Sequence, residues 1–169
     1  MPKPANLGKS LLVPAIAATL VLSSQTPSQA NTATTTFNVS LAITASCALS
    51  ASALAFGSAG VIAANIDNTS TITLTCTNTS PYDVGLDAGI GSGATVAARK
   101  MTTGGPTINY TLYQDPARTI LWGNTVGTNT CPGTGNGAAQ ALTVYGRVPA
   151  QSTPAPGAYS DTINVTVTF

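Results

Sequence analysis

Asp83 and Asp87 come first among the residues that could do chemistry, since paired carboxylates are a common acid–base device in a chain that has no histidine. In YDVGLDAG, residues 82–89, they share the polar side of an alternating segment, two repeats apart. Aspartates on such a side are mostly solvated, so the pair reads as surface. The chain has no glutamate either. That removes imidazole bases, His-based metal sites and Ser-His or Cys-His nucleophile pairs. Gly8-Lys9-Ser10 matches the end of a phosphate-binding loop, but the upstream glycine position holds Lys3. Gly133, Gly135 and Gly137 have the first spacing of a nucleotide fingerprint without a strand–turn–helix around it, and read as a flexible loop. Asn38, Asn78 and Asn164 open glycosylation sequons of a kind that Thr/Asn-rich strands produce by chance. The expectation is no catalysis, no metal and no cofactor.

What remains is a pattern of strands. TFNVSLAIT, residues 36–44, places Phe37, Val39, Leu41 and Ile43 on one face and polar or small residues on the other. The same period of two returns with Ile72, Leu74 and Cys76, then with Tyr82, Val84 and Leu86. Ile108, Tyr110 and Leu112 share a third face, and Leu142, Val144 and Val148 a fourth. In the closing YSDTINVTVTF, Tyr159, Ile163, Val165, Val167 and Phe169 align. A further strand is expected around Ala51–Phe56. Short strands of this kind, separated by Gly, Pro and Asn turns, predict an all-β antiparallel sandwich.

Lys3 and Lys9, the apolar run Leu11–Leu22 and the small residues of Ser28-Gln29-Ala30 have the anatomy of a secretory signal peptide cleaved after Ala30. The run is too short to span a membrane, so no stable membrane insertion is expected. The remaining chain, Asn31–Phe169, suffices for one domain. Charged residues are only 7% of the sequence, which leaves no basic patch for nucleic acid and little repulsion between copies. Three cysteines, Cys47, Cys76 and Cys131, would meet an oxidising compartment. Spacing alone does not settle their pairing. The apolar-face position of Cys76 favours Cys47–Cys76, which leaves Cys131 in the turn-rich, exposed NTCPGTGNG as a free loop thiol or a cross-link between copies.

The blocks ARKMTTGG (98–105), INYTLYQDPARTILWG (108–123), LTVYGRVPA (142–150) and GAYSDTINVTVTF (157–169) resemble the spore coat protein U domain. That family includes secreted pilins of the archaic chaperone–usher pathway. The combined markers are Arg99 with Met101, Tyr110-x-Leu112-Tyr113, Trp122-Gly123, Tyr145-Gly146 and Tyr159-Ser160-Asp161. Cys47 and Cys76 match the family's cysteine pair, and Cys131 departs from it. The resemblance implies an immunoglobulin-like sandwich lacking its last strand, with a groove beside the C-terminal strand carrying Ile163, Val165, Val167 and Phe169. A periplasmic chaperone fills such a groove until the N-terminal segment of another subunit replaces it by donor-strand complementation. Residues 1–30 would then be the signal peptide, 31–46 the donor segment with Phe37, Val39, Leu41 and Ile43, and 47–169 the pilin-like domain.

The function so implied is a structural subunit of a surface fimbria, exported through the periplasm and serving adhesion or biofilm. Its partners would be copies of itself or related pilins, a chaperone and an outer-membrane usher. Alternatives are a structural spore-coat or cell-coat protein, or a self-complemented secreted domain in which 36–44 pair within their own molecule. A lectin-like domain using Trp122 as a sugar platform is a further alternative, against which the Gly123 turn context favours a packing role.

Overall fold

Strict alternation builds the longest strand. In the computed structural model, which describes residues 28–169, β2 (Ile66–Cys76) turns Ile72, Leu74 and Cys76 inward and leaves Thr69, Thr71 and Thr75 exposed. The other strands are β1 (Cys47–Ala51), β3 (Pro81–Leu86), β4 (Arg99–Thr102), β5 (Thr107–Tyr113), β6 (Cys131–Thr134), β7 (Gln140–Val148) and β8 (Val165–Thr168). They form a five-stranded sheet, β1-β2-β7-β5-β4, and a three-stranded sheet, β6-β3-β8. Every pairing is antiparallel. No helix occurs among the described residues, and none is long and apolar enough to cross a membrane. The expected signal peptide lies outside the described residues up to residue 27, as does Gly8-Lys9-Ser10.

The described residues fall in two units, 28–40 without regular structure and Leu41–Phe169 with all eight strands. Both sheets of the second unit supply one core: Ile72 and Leu74 from β2, Val84 and Leu86 from β3, Tyr110 and Leu112 from β5, Val144 and Val148 from β7. The antiparallel sandwich predicted from alternation is therefore present. Trp122 completes the core at 1% exposure, donating its indole Nε1–H to the Val84 carbonyl at 2.8 Å. A buried indole with a satisfied donor is a packing anchor. It offers no face to a sugar.

Four elements differ from the sequence reading. The strand expected over Ala51–Phe56 instead occupies Cys47–Ala51, where it pairs with β2 from Cys47↔Cys76 to Ala51↔Ile72. The closing strand is confined to Val165–Thr168, because Ser160 bridges to Thr102 of the other sheet and the intervening residues cross between sheets. β4 was not foreseen, since the arginine and lysine of RKMT mask its alternation. Finally, NTCPGTGNG is not an exposed turn or flexible loop throughout, for Cys131–Thr134 pairs with β3. Gly133 lies under the Tyr82 ring, where a Cβ would come within 2.4 Å of ring atoms. This glycine serves close packing.

Cys47 and Cys76 form a disulfide across the β1–β2 register pair, and Cys131 is free. The bridge closes a loop with a sequence separation of 29, worth about 3–4 kcal/mol if it acts by restricting the unfolded chain. Cys47→Ser together with Cys76→Ser should lower the urea midpoint, with m rising as the unfolded chain is released. An unchanged midpoint would show the bridge to be dispensable.

Candidate functional site

The site starts from a buried charge. Arg99 opens β4 with no exposed surface. A guanidinium withdrawn from water is tolerated only when its donors are satisfied. Its Nε–H donates to the Asp87 carbonyl at 2.7 Å and Nη1 to the Val96 carbonyl at 2.8 Å. Nη2 donates to the carbonyls of Leu86 at 2.9 Å and Trp122 at 2.8 Å. One side chain thus holds the end of β3, the approach to β4 and the segment after β5. Burial pulls the Arg99 pKa down, countered by Tyr110, Asp87 and Asp161.

Around it lie the aspartates. The Asp87 carboxylate accepts from the Asn164 amide N–H at 3.0 Å, the Asn164 side chain at 2.7 Å and the Gly89 amide at 3.0 Å. Burial pushes its pKa up, but these donors and the Arg99 charge outweigh burial and hold it below the ordinary carboxylate value. Asp83 accepts the Thr130 hydroxyl at 2.7 Å instead. The two carboxylates of the YDVGLDAG segment therefore have separate structural partners. Asp161 accepts the Tyr110 hydroxyl at 2.7 Å and the Ile90 amide at 2.9 Å. Among the described residues, no group of three or more His, Cys, Asp or Glu could hold a metal.

This polar frame surrounds an apolar trough of about 1250 Å³ that opens into the core. Its floor includes Ile72, Leu112, Val144 and Val148. One lip is the extended stretch 52–57, where Leu54 and Phe56 are half-buried while Ala53 and Ala55 are exposed. The other lip is the segment leading into β8, including Ile163 and Val165. β8 pairs with β3 on one side and enters no ladder on the other. Gly146 of β7 lets the first lip come close: a Cβ there would lie 2.8 Å from Leu54 and 2.9 Å from Phe56. The Phe56 ring meets Tyr110 edge-on, with centroids 6.2 Å apart.

Of the residues expected at the groove strand, Ile163 and Val165 line the trough and Val167 packs on the core. Phe169 is 55% exposed and borders a separate shallow depression with Pro81, Tyr82 and Asp83. Phe37, Val39, Leu41 and Ile43 are exposed by 84%, 84%, 86% and 77%, within a stretch that enters no ladder among the described residues. Sequence reasoning missed Leu54, Phe56 and Gly146 as trough residues. The alternation of SALAF, residues 52–56, was the available signal for the first two.

The fold is thus an antiparallel β-sandwich with an open apolar trough beside an unpaired strand edge. The chain matches the Spore Coat Protein U domain family over residues 33–166 and belongs to that family. It is 33% identical over 173 residues to "Protein U" of Myxococcus xanthus, covering 93% of this chain and 96% of that one. Among solved structures it is similar to a chain of the CsuC–CsuE chaperone–tip adhesion subunit pre-assembly complex from archaic chaperone-usher Csu pili of Acinetobacter baumannii. The TM-score is 0.56 at 19% identity, covering 75% of this chain and 40% of that one.

Two outcomes test the frame. Arg99→Met keeps the volume but leaves four carbonyls without their donor, so it should cost on the order of 4 kcal/mol in urea unfolding. The Tyr110 pKa is raised above its ordinary value of 10.0, first by burial and then by Asp161. A raised folded pKa gives stability that is present below the unfolded value and lost as pH rises beyond it. Wild type should therefore lose stability above about pH 10, and Tyr110→Phe should lose it with a shallower slope. Equal slopes would place the alkaline sensitivity elsewhere.

Proposed function

We propose that this protein is a structural subunit of a surface fimbria, assembled by insertion of one chain's N-terminal segment into the trough of another. The observation that carries the reading is the pairing of opposites within one sequence. The trough is apolar and flanked by unpaired strand edge, while residues 36–44 expose four large apolar side chains at a period of two. An added strand would gain backbone hydrogen bonds along the β8 edge and bury alternate side chains in the trough. Burial of four such side chains gives about 6–12 kcal/mol gross, from which ordering of the segment is subtracted.

The joint between segment and domain favours a partner over self-insertion. The Ser46 carbonyl accepts the Thr77 amide at 2.9 Å and its own amide donates to the Thr77 hydroxyl at 3.2 Å. With the adjacent Cys47 bridged, only Ala45 separates this clasp from Thr44. Tight hairpins call for residues such as Asn-Gly, and none is present there.

On this reading the chain is exported through a periplasm, carried by a chaperone that occupies the trough and passed to an usher. Display at the surface would then serve adhesion or biofilm. The family and the fold of the pilus-complex neighbour support this. The likeness to Protein U supports a second setting, a coat built from the same joint. Catalysis has no part in either.

The test is to produce the chain with its chaperone and compare it with Leu41→Asp on gels run without heating. Wild type should give a ladder of heat-dissociable oligomers that survives reductant, and the variant should give none. A wild-type monomer after chaperone removal would instead establish self-complementation. A ladder removed by reductant alone would trace assembly to Cys131 cross-links.

A further inference from the structure

The lip formed by residues 52–57 is held differently from the rest of the sandwich. β1 is joined to β2 by a regular ladder through Ala51. Beyond it, the Ser52 amide still donates to the Thr71 carbonyl at 2.9 Å. After that the attachment passes to side chains: Ser70 Oγ donates to the carbonyls of Ser52, at 2.6 Å, and Ala53, at 3.2 Å. Asn68 Nδ2 donates to the Ala55 carbonyl. Two surface side chains therefore stand in for a ladder, and such exposed bonds are readily exchanged with water.

The inward side chains of this lip sit in the trough itself. Leu54 and Phe56 rest on Gly146, and Phe56 meets the Tyr110 ring. They are spaced two residues apart, like the apolar side chains of the segment proposed to dock. An empty apolar trough would expose core side chains to water, and Leu54 and Phe56 reduce that exposure.

We propose that residues 52–57 act as a resident strap: Leu54 and Phe56 fill part of the trough while it is empty and move aside when another chain's strand docks. This rests on the docking reading above and adds a regulation of the same site. The apparent affinity for the docking strand is reduced by the fraction of molecules in which the strap is out of the way. A strap seated in nine molecules of ten lowers it about tenfold. Joining is then slowed for subunits in isolation, and an occupant that lifts the strap prepares the trough for the next strand.

The experiment uses the full chain carrying Leu41→Asp, so that its own segment cannot compete, and a fluorescent peptide of residues 33–46 as the probe. Asn68→Ala, alone and with Ser70→Ala, loosens the strap from β2 and spares Leu54, Phe56 and Gly146. Phe56→Ala removes half of the cover. Each should raise the association rate and tighten binding, by up to about tenfold, the limit set by a strap seated nine-tenths of the time. Should Phe56→Ala fail to fold, the Asn68 variants decide. If the parent binds the peptide and the Asn68 variants bind no faster, the strap is overturned and the docking reading stands. If neither parent nor variants bind, the docking reading falls and the strap with it.

Discussion

The constraint on which the structure depends is the burial of Arg99. A guanidinium with no exposed surface must find its donors' partners inside the protein, and this one finds four backbone carbonyls on three separate stretches of chain. The bonds to Leu86 and Trp122 are buried, where a carbonyl needs a partner, and those to Asp87 and Val96 are partly so. Charge and carbonyls satisfy one another. The exchange sets the position of Asp87, which in turn clasps Asn164 at the start of β8. A side chain on β4 thereby positions one lip of the trough, although it is not itself among the residues that line it.

The two lips are consequently unequal. The lip that leads into β8 is tied to the frame by Asp87 to Asn164, by Asp161 to Tyr110 and by the Thr102–Ser160 bridge. The lip at 52–57 relies on Ser70 and Asn68. Burial and charge-assisted hydrogen bonds are worth more than exposed neutral ones, so stiffness is concentrated on one side. On the proposed docking reading, one fixed edge would set the register of an incoming strand and one yielding edge would admit it.

Much of this frame was legible as residues and little of it as contacts. Alternation located β2, β3, β5 and β7, because each turns one apolar face to the core and one polar face to solvent. It failed at β4, where the inward residue is Arg99, and at β6, where Pro132 and Gly133 signal a turn while the strand pairs with β3. Arg99, Tyr110, Trp122 and Asp161 stood out as markers of a family resemblance. Only the fold brings Arg99 to the Trp122 carbonyl and Tyr110 to Asp161. Such bonds join residues far apart in the chain and have no period. The trough had a sequence counterpart in the final strand, but its floor and the Leu54–Phe56 lip arise from how the sheets close.

The way the sheet edges are treated bears on what the trough is for. Unpaired edges invite other chains, and proteins guard them with charge, proline or cover. Here β6 carries Pro132 on its edge, and β4 carries Lys100 and is bridged to Ser160. β8 has none of these. Its residues Val165, Thr166, Val167 and Thr168 are uncharged and β-branched, the composition that pairs most readily with another strand. β1, the remaining sheet end, also carries neither charge nor proline, so the bare edges are β1 and β8, and a bare edge beside an apolar trough is costly in a protein meant to remain alone. In the proposed joint that edge would be the working surface, and the scarcity of charge across the sequence leaves little repulsion to oppose the contact.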